Sequence, residues 1–357
     1  MKIGIMTWFS YDNYGSLLQA FALCKHLEMN GHEVKLIHYL PKGKAYGYNL
    51  LHTYYLRLKL KIKNHEKRIV VVQNSEKEVE AFREKFFSYS TPVMDIGWEA
   101  IENAFDKIVC GSDQIWSPVY FEEEYYLSFI RDKKKKIAYA PSLGVGQIKN
   151  RRIRGQIKDL ISDFAYLSVR EETGRRLLQD MTTVPISVVS DPTLFFTKDE
   201  WKSNLNLTDR KEKEPYLLAY FLGDNDYWKD VYEIARQRNL QVKVIPMLDA
   251  DLKRDGAIQE SISPTEFLSL IFEADFVCTD SFHGVIFSLL SEKQFKVYQR
   301  HKARAWDEQN SRIDDLFRAI GLEKDADYMD YHQINQQIQN YVNDSRKFLF
   351  DALKEEK

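Results

Sequence analysis

The fold is decided by one stretch, Ala274-Asp275-Phe276-Val277-Cys278-Thr279-Asp280-Ser281-Phe282-His283-Gly284, which continues as Val285-Ile286-Phe287-Ser288-Leu289-Leu290. Its first part is a short apolar run that ends in polar residues, and apolar residues then recur at helical spacing. This pattern predicts a buried strand, a tight turn and a helix. In an open α/β sheet, ligands bind beyond the carboxyl ends of the strands, where the backbone N–H groups of a new helix favour an anion. The turn therefore predicts an anion site.

His283 is the residue of this turn that can move a proton near neutral pH, because the ordinary pKa of an imidazole lies there. Taken alone, the turn fits equally well a histidine that only caps the helix or is satisfied in the core. Other segments of the chain have to separate these alternatives.

Length and composition indicate an ordinary globular protein with two domains. The chain has 357 residues, of which 44% are hydrophobic and 29% are charged, and two domains are expected for such a length. The formal net charge is −2, so no global basicity points to a nucleic-acid partner.

Cysteine usage and apolar runs indicate the cellular compartment. Cys24, Cys110 and Cys278 lie far apart and form no C-x-x-C pair, so we expect buried free thiols in a reducing compartment and no zinc site. The N-terminal apolar run is too short for a signal peptide, and no run approaches about 18 apolar residues. The expected location is the cytoplasm.

Predicted strands of the first half each end in a small polar or charged cluster. These strands are 3–8, 34–39, 106–110, 137–140, 165–169 and 186–189. The first two enclose a helix, and such a βαβ unit implies a parallel sheet, whose clusters lie at one edge. The cluster after the first strand contains Asp12, Asn13 and Gly15. It is suited to binding sugar hydroxyls; the alternative is a plain turn in which Ser16 caps the helix.

The second half repeats this architecture after a polar connection at 200–214. Its predicted strands are 216–222, 242–245, the strand of the opening stretch and 295–298. The expected domains are an N-terminal α/β domain (1–197), a C-terminal α/β domain (198–333) and a terminal helix (334–357) that packs back towards the first domain. The expected fold class is α/β, with two doubly wound Rossmann-like domains facing across a cleft, as in GT-B glycosyltransferases.

Residues 48–68 combine an apolar helical stripe with a basic face. A basic amphipathic helix can lie on an anionic membrane surface, so this segment predicts a peripheral contact at the inner face of the membrane. The alternative is an ordinary domain helix with solvated lysines.

Together, the clusters resemble the polysaccharide pyruvyltransferase family. The matching segments are Asn13-Tyr14-Gly15-Ser16-Leu17-Leu18-Gln19, Gly111-Ser112-Asp113-Gln114-Ile115-Trp116, Tyr139-Ala140-Pro141-Ser142-Leu143-Gly144, Ser168-Val169-Arg170-Glu171, Asp191-Pro192-Thr193-Leu194 and Ser281-Phe282-His283-Gly284. The resemblance implies transfer of a pyruvyl group from phosphoenolpyruvate onto two hydroxyls of a sugar, which forms a cyclic ketal and releases phosphate. The acceptor would be a lipid-linked precursor of a capsule or exopolysaccharide.

Under this resemblance, the second domain binds phosphoenolpyruvate and His283 is a catalytic residue. It would act either as general acid and base or as a protonated group that stabilises the departing phosphate. Arg170 would clamp an anion; the alternative is an arginine paired with Glu171 or Glu172. The family pattern implies an arginine where this chain has Ser281.

The other expected site residues follow from the same resemblance. Arg304 and Arg312 are candidates for the anion contact absent at Ser281. Asp12 is expected to be catalytic on the acceptor side. Acceptor contacts are also expected from Asn13, Ser112, Asp113 and Gln114, with turn or cap roles as the alternative. The remaining expected substrate-binding residues are Gly15, Ser142, Ser281 and Gly284.

Two other functions remain open alternatives. A glycosyltransferase could use a nucleotide sugar on the same fold, although no acidic ribose-binding signature is evident in the second half. A non-catalytic sugar-binding protein is disfavoured because Arg170 and His283 are both present. No metal or other cofactor is expected: arginine and helix N-termini can stabilise phosphate, and no G-x-G-x-x-G occurs.

Overall fold

The computed structural model describes residues 1–10, 13–41, 76–208, 214–223, 226–248, 250–300, 311–323 and 329–354. The predicted basic helix at 48–68, Asp12 and Arg304 lie outside the described residues. The chain divides into two compact units. The first contains the described residues within Met1–Tyr39, Glu84–Phe196 and Arg304–Lys357, and the second contains those within Leu40–Arg83 and Thr197–Ala303.

A parallel sheet of six strands forms the centre of the first unit. The strands are β1 (Lys2–Met6), β2 (Glu33–Leu36), β3 (Lys107–Cys110), β4 (Lys136–Ala138), β5 (Tyr166–Val169) and β6 (Ile186–Val188). Their order across the sheet is β2-β1-β3-β4-β5-β6. The chain adds β2 on one side of β1 and then adds β3 to β6 on the other side. Because parallel crossovers are right-handed, this change of direction across the sheet places helices on both faces. Ile3, Ile5, Ile108 and Val109 are accordingly fully buried.

Eleven α-helices lie in the described part of the chain, and they accompany both sheets. They are α1 (Tyr14–Met29), α2 (Glu76–Phe86), α3 (Val93–Ala104), α4 (Arg151–Ile161), α5 (Glu172–Leu178), α6 (Lys198–Leu205), α7 (Trp228–Arg238), α8 (Pro264–Glu273), α9 (Phe282–Leu290), α10 (Ser311–Ala319) and α11 (Tyr331–Leu353). Within the described ranges, no helix combines the length and apolarity that crossing a bilayer requires.

The second unit contains a parallel sheet of four strands. The strands are β7 (Tyr216–Tyr220), β8 (Gln241–Ile245), β9 (Phe276–Thr279) and β10 (Gln294–Val297). The order β10-β9-β7-β8 places β9, the strand of the opening stretch, between two neighbours. All four residues of β9 are buried, as expected for an inner strand of a parallel sheet. The strand, turn and helix predicted over residues 276–290 are confirmed.

The predicted polar connection at 200–214 begins within a helix, because α6 occupies Lys198–Leu205. Thr197 and Glu200 form a capping box, in which each side chain bonds the backbone N–H of the other residue. Trp201 and Leu205 are buried, so the helix is fixed by its cap and by two apolar contacts with the core. Because the residues around Trp201 and Leu205 are mostly charged or polar, the sequence pattern did not indicate this helix.

The C-terminal residues group differently from the expected division, which ended the second domain at residue 333. Helix α10 belongs to the first unit, because Asp315 accepts a hydrogen bond from the backbone N–H of Thr173 at 2.8 Å. Helix α11 also contacts this unit, since Ser345 Oγ accepts from the N–H of Ser190 at 2.8 Å.

The three cysteines are free and buried, which confirms the expectation of buried thiols. Burial raises the pKa of the Cys24 and Cys110 thiols, and it raises that of Cys278 to about 12. All three therefore remain protonated and inert near neutral pH.

Candidate active site

The loop that follows β3 begins with Gly111, and only glycine fits there. Gly111 has a φ of +128°, and a Cβ at this position would overlap the carbonyl oxygen of Tyr139 at the end of β4. Residues with side chains rarely adopt such a φ. The glycine therefore allows the loop to run directly against the neighbouring strand end, which carries Ser112 and Asp113 into the interior.

Ser112 joins the ends of several strands through hydrogen bonds. Its Oγ lies 2.9 Å from the carbonyl oxygen of Ala140 and 3.0 Å from Oδ2 of Asp191. Its backbone N–H donates to Gln19 Oε1 at 3.0 Å, and its carbonyl oxygen accepts from Thr7 Oγ1 at 3.1 Å. Ser112 is fully buried, and its hydrogen bonds fix the loop among the strand ends. Its contact with an acceptor remains a prediction.

Arg170 lies buried among three carboxylates at the end of β5. Its Nη1 donates to Asp191 Oδ2 at 2.7 Å, and Asp113 and Glu171 lie at 3.9 and 3.8 Å. Burial lowers the pKa of the guanidinium, but Asp191, Glu171 and Asp113 outweigh that effect and raise it. Arg170 therefore has acidic partners within the protein. One of them is Glu171, with which the alternative interpretation of the sequence paired it.

Ser142 and Glu171 connect the ends of β4 and β5. The Ser142 hydroxyl donates to Glu171 Oε1 at 2.8 Å, and the N–H of Leu143 donates to the same oxygen at 3.0 Å. The N–H of Ser142 donates to the carbonyl oxygen of Asp113 at 2.8 Å. Ser142, like Ser112, is fully buried.

We call this connected set the carboxyl-edge network, because its members follow β1, β3, β4, β5 and β6 or lie in the first two turns of α1. Its residues are Thr7, Ser16, Gln19, Ser112, Asp113, Ser142, Arg170, Glu171 and Asp191. The network places the predicted residues Ser112, Asp113, Ser142 and Arg170 together at one edge of the first sheet.

Asn13 and Gly15 lie at the start of α1. Asn13 is the N-cap, and its Oδ1 accepts from the N–H of Ser16 at 3.2 Å. The alternative in which Ser16 supplies the capping hydroxyl is wrong, because that hydroxyl donates to Asp113 Oδ2 instead. Gly15 is buried in the first turn of the helix.

Gln114 and Arg312 complete the predicted residues of the first unit. Gln114 is half-buried and begins a short 3₁₀ turn, Gln114–Trp116. Arg312 lies buried in the first turn of α10, whereas Ser281 belongs to the second unit. The role of Arg312 as a substitute cation remains a prediction.

The turn between β9 and α9 contains the predicted residues of the second unit. Ser281 is the N-cap of α9, and its Oγ accepts from the N–H of Gly284 at 3.3 Å. Thr279 Oγ1 accepts from the N–H of Ser281 at 3.0 Å. His283 lies in the first turn and is 7% exposed; its ring is nearly perpendicular to that of Phe282, at 84°.

Asp280 holds the loops on both sides of this turn. Its two carboxylate oxygens accept from the N–H groups of Leu222 and Gly223 at 2.7 and 2.9 Å, and these residues follow β7. On the other side, Arg300, which follows β10, donates to the carbonyl oxygen of Asp280 at 3.2 Å. Asp280 therefore connects the ends of three adjacent strands, β7, β9 and β10.

Eight residues whose side chains make these contacts were not among the predicted site residues: Thr7, Ser16, Gln19, Glu171, Asp191, Thr279, Asp280 and Arg300. Four of them lie within the segments that carry the family resemblance, so their membership was a usable signal: Ser16, Gln19, Glu171 and Asp191. Arg300 lies outside those segments, and its position beside Asp280 depends on the adjacency of β9 and β10. Among the described residues, no group of three or more His, Cys, Asp or Glu side chains is placed to hold a metal ion.

Solved structures are similar to this chain at low sequence identity. A protein assigned as a UDP-N-acetylglucosamine 2-epimerase from Listeria monocytogenes has a TM-score of 0.51 and 10% identity, with 98% of this chain and 91% of that chain covered. A UDP-GlcNAc 2-epimerase from Neisseria meningitidis (TM-score 0.48, 10% identity) and the glycosyltransferase SnogD from Streptomyces nogalater (TM-score 0.45, 11% identity) are also similar, with 99% of both chains covered in each case. The predicted α/β class with two Rossmann-like parallel sheets of the GT-B type is confirmed.

Sequence comparison is informative at the level of the family. No curated protein matches the chain significantly. The family model described as polysaccharide pyruvyl transferase, however, matches residues 13–298. This range includes the turn around His283 and every member of the carboxyl-edge network except Thr7. The chain therefore belongs to the polysaccharide pyruvyl transferase family.

Proposed function

We propose that this protein transfers a pyruvyl group from phosphoenolpyruvate onto two hydroxyls of a sugar in a lipid-linked precursor of a surface polysaccharide. The product is a cyclic ketal, and phosphate is released. One observation carries the proposal: the family match runs continuously over residues 13–298 and includes both Arg170 and His283.

The proposed reaction balances without a redox partner. A proton is added to the methylene carbon of phosphoenolpyruvate, and the neighbouring carbon accepts the first sugar hydroxyl, which loses its proton. The bond from that carbon to the phosphate oxygen then breaks, and the second hydroxyl attacks the same carbon and also loses its proton. One of the two hydroxyl protons replaces the proton delivered to the methylene carbon, and the other leaves with phosphate.

His283 is our proposed proton carrier for these steps. An imidazole has two ring nitrogens that can donate and accept protons, so it can serve the methylene carbon and a sugar hydroxyl in turn. In its protonated form it can alternatively stabilise the leaving phosphate. His283 lies in the first turn of α9, an end of the helix that carries partial positive charge and therefore attracts the phosphate of the donor.

The remaining proposed roles follow the family pattern. Asp12 and Asn13 are proposed to bind the acceptor, and Arg304 or Arg312 to supply the cation absent at Ser281. Arg170, with Asp191 as its closest acidic partner, is proposed to fix the loops that surround the acceptor. We propose no metal or other cofactor, because cations and helix N-termini can stabilise the leaving phosphate.

The assay that tests this proposal uses phosphoenolpyruvate with matched panels of lipid-linked and soluble sugars in buffer containing EDTA. The expected result is phosphate release together with a product whose mass corresponds to a pyruvyl ketal, and greater activity on the lipid-linked panel. Transfer from a nucleotide sugar, or sugar binding without turnover, would instead support one of the two alternative functions. A requirement for added metal would contradict the cofactor proposal.

His283→Asn is the matched inactive variant for this assay. Loss of a general acid–base group lowers turnover by roughly 10²–10⁴-fold, and asparagine keeps a polar side chain of similar size. Circular dichroism of the variant should match the wild type. Retention of more than a tenth of the wild-type rate would exclude His283 as the proton carrier.

A further inference from the structure

An aromatic pair, Trp8 and Tyr120, lies at the surface of the first unit. The two rings are in edge-to-face contact, with centroids 6.3 Å apart and planes at 73°. Tyr120 is 59% exposed, and the neighbouring Val119 is 65% exposed. Large apolar side chains at such exposure lose the stabilisation that burial provides, so the fold itself gains little from presenting them.

A ring stack and hydrogen bonds to the backbone fix the turn that carries Tyr120. Trp116 stacks on Tyr126 with ring centroids 4.7 Å apart and an angle of 10°, and its indole N–H donates to the carbonyl oxygen of Tyr125 at 3.0 Å. The N–H of Tyr120 donates to the carbonyl oxygen of Ser117 at 3.1 Å. The exposed ring is therefore presented by a preorganised turn, which lowers the entropy cost of binding a ligand.

The aromatic pair adjoins the carboxyl-edge network. Trp8 directly follows Thr7, whose hydroxyl donates to the carbonyl oxygen of Ser112. Tyr120 belongs to the loop that continues from Ser112 after β3. Both rings thus follow the carboxyl ends of adjacent strands, β1 and β3, where ligands bind in parallel α/β sheets.

The surroundings of the pair are acidic. Three glutamates, Glu122 to Glu124, begin two residues after Tyr120, and Glu123 is exposed. These carboxylates repel the phosphate and carboxylate of phosphoenolpyruvate, and they also repel an anionic membrane surface. They can accept hydrogen bonds from hydroxyl groups. An apolar ring face beside such acceptors suits a neutral sugar, which has an apolar C–H face and hydroxyls at its rim.

We propose that Trp8 and Tyr120 form a subsite for a sugar ring of the acceptor, which stacks its C–H face on the exposed ring of Tyr120. The identity of the ligand rests on the proposed function. The aromatic pair provides contact area with few rotatable bonds, and the neighbouring carboxylates select for hydroxyls.

Binding is tested without phosphoenolpyruvate, so that failure of this subsite is distinguished from failure of the transfer reaction. Saturation-transfer NMR is recorded with the methyl glycosides of galactose, glucose and N-acetylmannosamine. We expect transfer to the ring C–H protons of at least one glycoside in the wild type. Tyr120→Ala should reduce that transfer roughly tenfold, as for an aromatic contact at the centre of a site, and Tyr120→Phe should retain it.

Met29→Ala is the matched control, because Met29 is likewise 59% exposed but ends α1, at the amino edge of the sheet. This variant should bind as the wild type does. Saturation transfer that stays at the wild-type level in both Tyr120→Ala and Trp8→Ala would overturn the subsite. So would a wild type that binds none of the three glycosides. With octyl glycosides, transfer confined to the alkyl chain would overturn it as well.

The transfer assay gives a second readout. Tyr120→Ala should raise the acceptor KM roughly tenfold and leave the KM for phosphoenolpyruvate unchanged. An equal rise in both KM values would contradict an acceptor subsite, because it would indicate a general disturbance of the site.

Discussion

At the scale of single residues, the contact between Arg170 and Asp191 decides how buried charge is tolerated in the first unit. The side chains of the two residues are 2% and 0% exposed. Removing two charges from water is costly, and the attraction between them offsets that cost only when both are present and well placed. Asp191 also accepts from Thr193, at 2.7 Å from its hydroxyl, so its two oxygens are fixed from different sides.

Asp191→Asn is therefore expected to lower the free energy of unfolding by about 3–5 kcal/mol, the usual cost of breaking a buried ion pair. Asparagine keeps the size of the side chain but leaves the Arg170 charge less compensated. Urea unfolding measures the change. The control is Glu172→Gln, whose partner Arg175 is exposed and for which a loss below about 1 kcal/mol is expected. Equal losses in the two variants would contradict this account.

Sequence patterns predict part of this residue-level arrangement. Arg170 and Asp113 each follow a predicted strand, and parallel strand ends meet at one edge. The closest acidic partner of Arg170 was not predictable, because Asp191, Asp113 and Glu171 all follow strand ends or adjoin them in sequence. The packing of β5 against β6 brings Asp191 within 2.7 Å.

At the scale of elements, β7, β9 and β10 are joined beyond their carboxyl ends by Asp280. Gly223 lies so close to Arg300 that an added Cβ would be 2.5 Å from the Arg300 carbonyl oxygen and 3.0 Å from Oδ2 of Asp280. Real Cβ atoms essentially never come this close to backbone, so a side chain at 223 would push the β10 loop away from the turn that contains His283.

Gly223→Ala is expected to destabilise the second unit by about 1–3 kcal/mol, as overpacking of a tight contact does. Gly155→Ala in α4 is the matched substitution, because nothing lies within 4 Å of an added Cβ there. It should stabilise the protein by about 0.5–1 kcal/mol through helix propensity. Thermal unfolding of both variants gives the comparison, and a shift of the same sign in the two would refute it.

At the scale of the whole molecule, the first unit is assembled from segments far apart in sequence, and His26 lies where three of them meet. The centroid of its ring is 4.4 Å from that of the Phe195 ring and 5.5 Å from that of the Phe350 ring. His26 therefore joins α1 to the segment after β6 and to α11. Burial, together with the charge of Arg346, lowers the pKa of His26 to about 4. His26 is therefore neutral in the folded protein near neutral pH.

This shift predicts acid sensitivity of the fold. Below pH 6.5, the ordinary pKa, the unfolded chain takes up a proton at His26 that the folded protein does not bind. Stability is therefore retained above pH 6.5 and falls progressively down to about pH 4. The loss attributable to His26 is about 3 kcal/mol, since each unit of pKa shift corresponds to about 1.4 kcal/mol.

Urea unfolding measures the free energy of unfolding of the wild type and of His26→Leu from pH 7.5 to pH 4. The difference between the two profiles isolates the contribution of His26. The variant should lose less stability than the wild type as the pH falls. The exposed His332→Gln variant controls for histidine removal in general and should follow the wild type. Parallel pH profiles for wild type and His26→Leu would show that His26 does not cause the acid sensitivity.

The sequence by itself determined the α/β class, the two parallel sheets and the position of the polar clusters after the strands. These features follow from local patterns: apolar runs form buried strands, and polar residues end them. Tertiary structure alone decided which residues and elements contact each other. It pairs Arg170 with Asp191, Gly223 with Asp280 and Trp8 with Tyr120, and it places α10 in the first unit. Each of these contacts joins residues from separate segments, so it depends on which strands lie side by side and on how closely their loops pack.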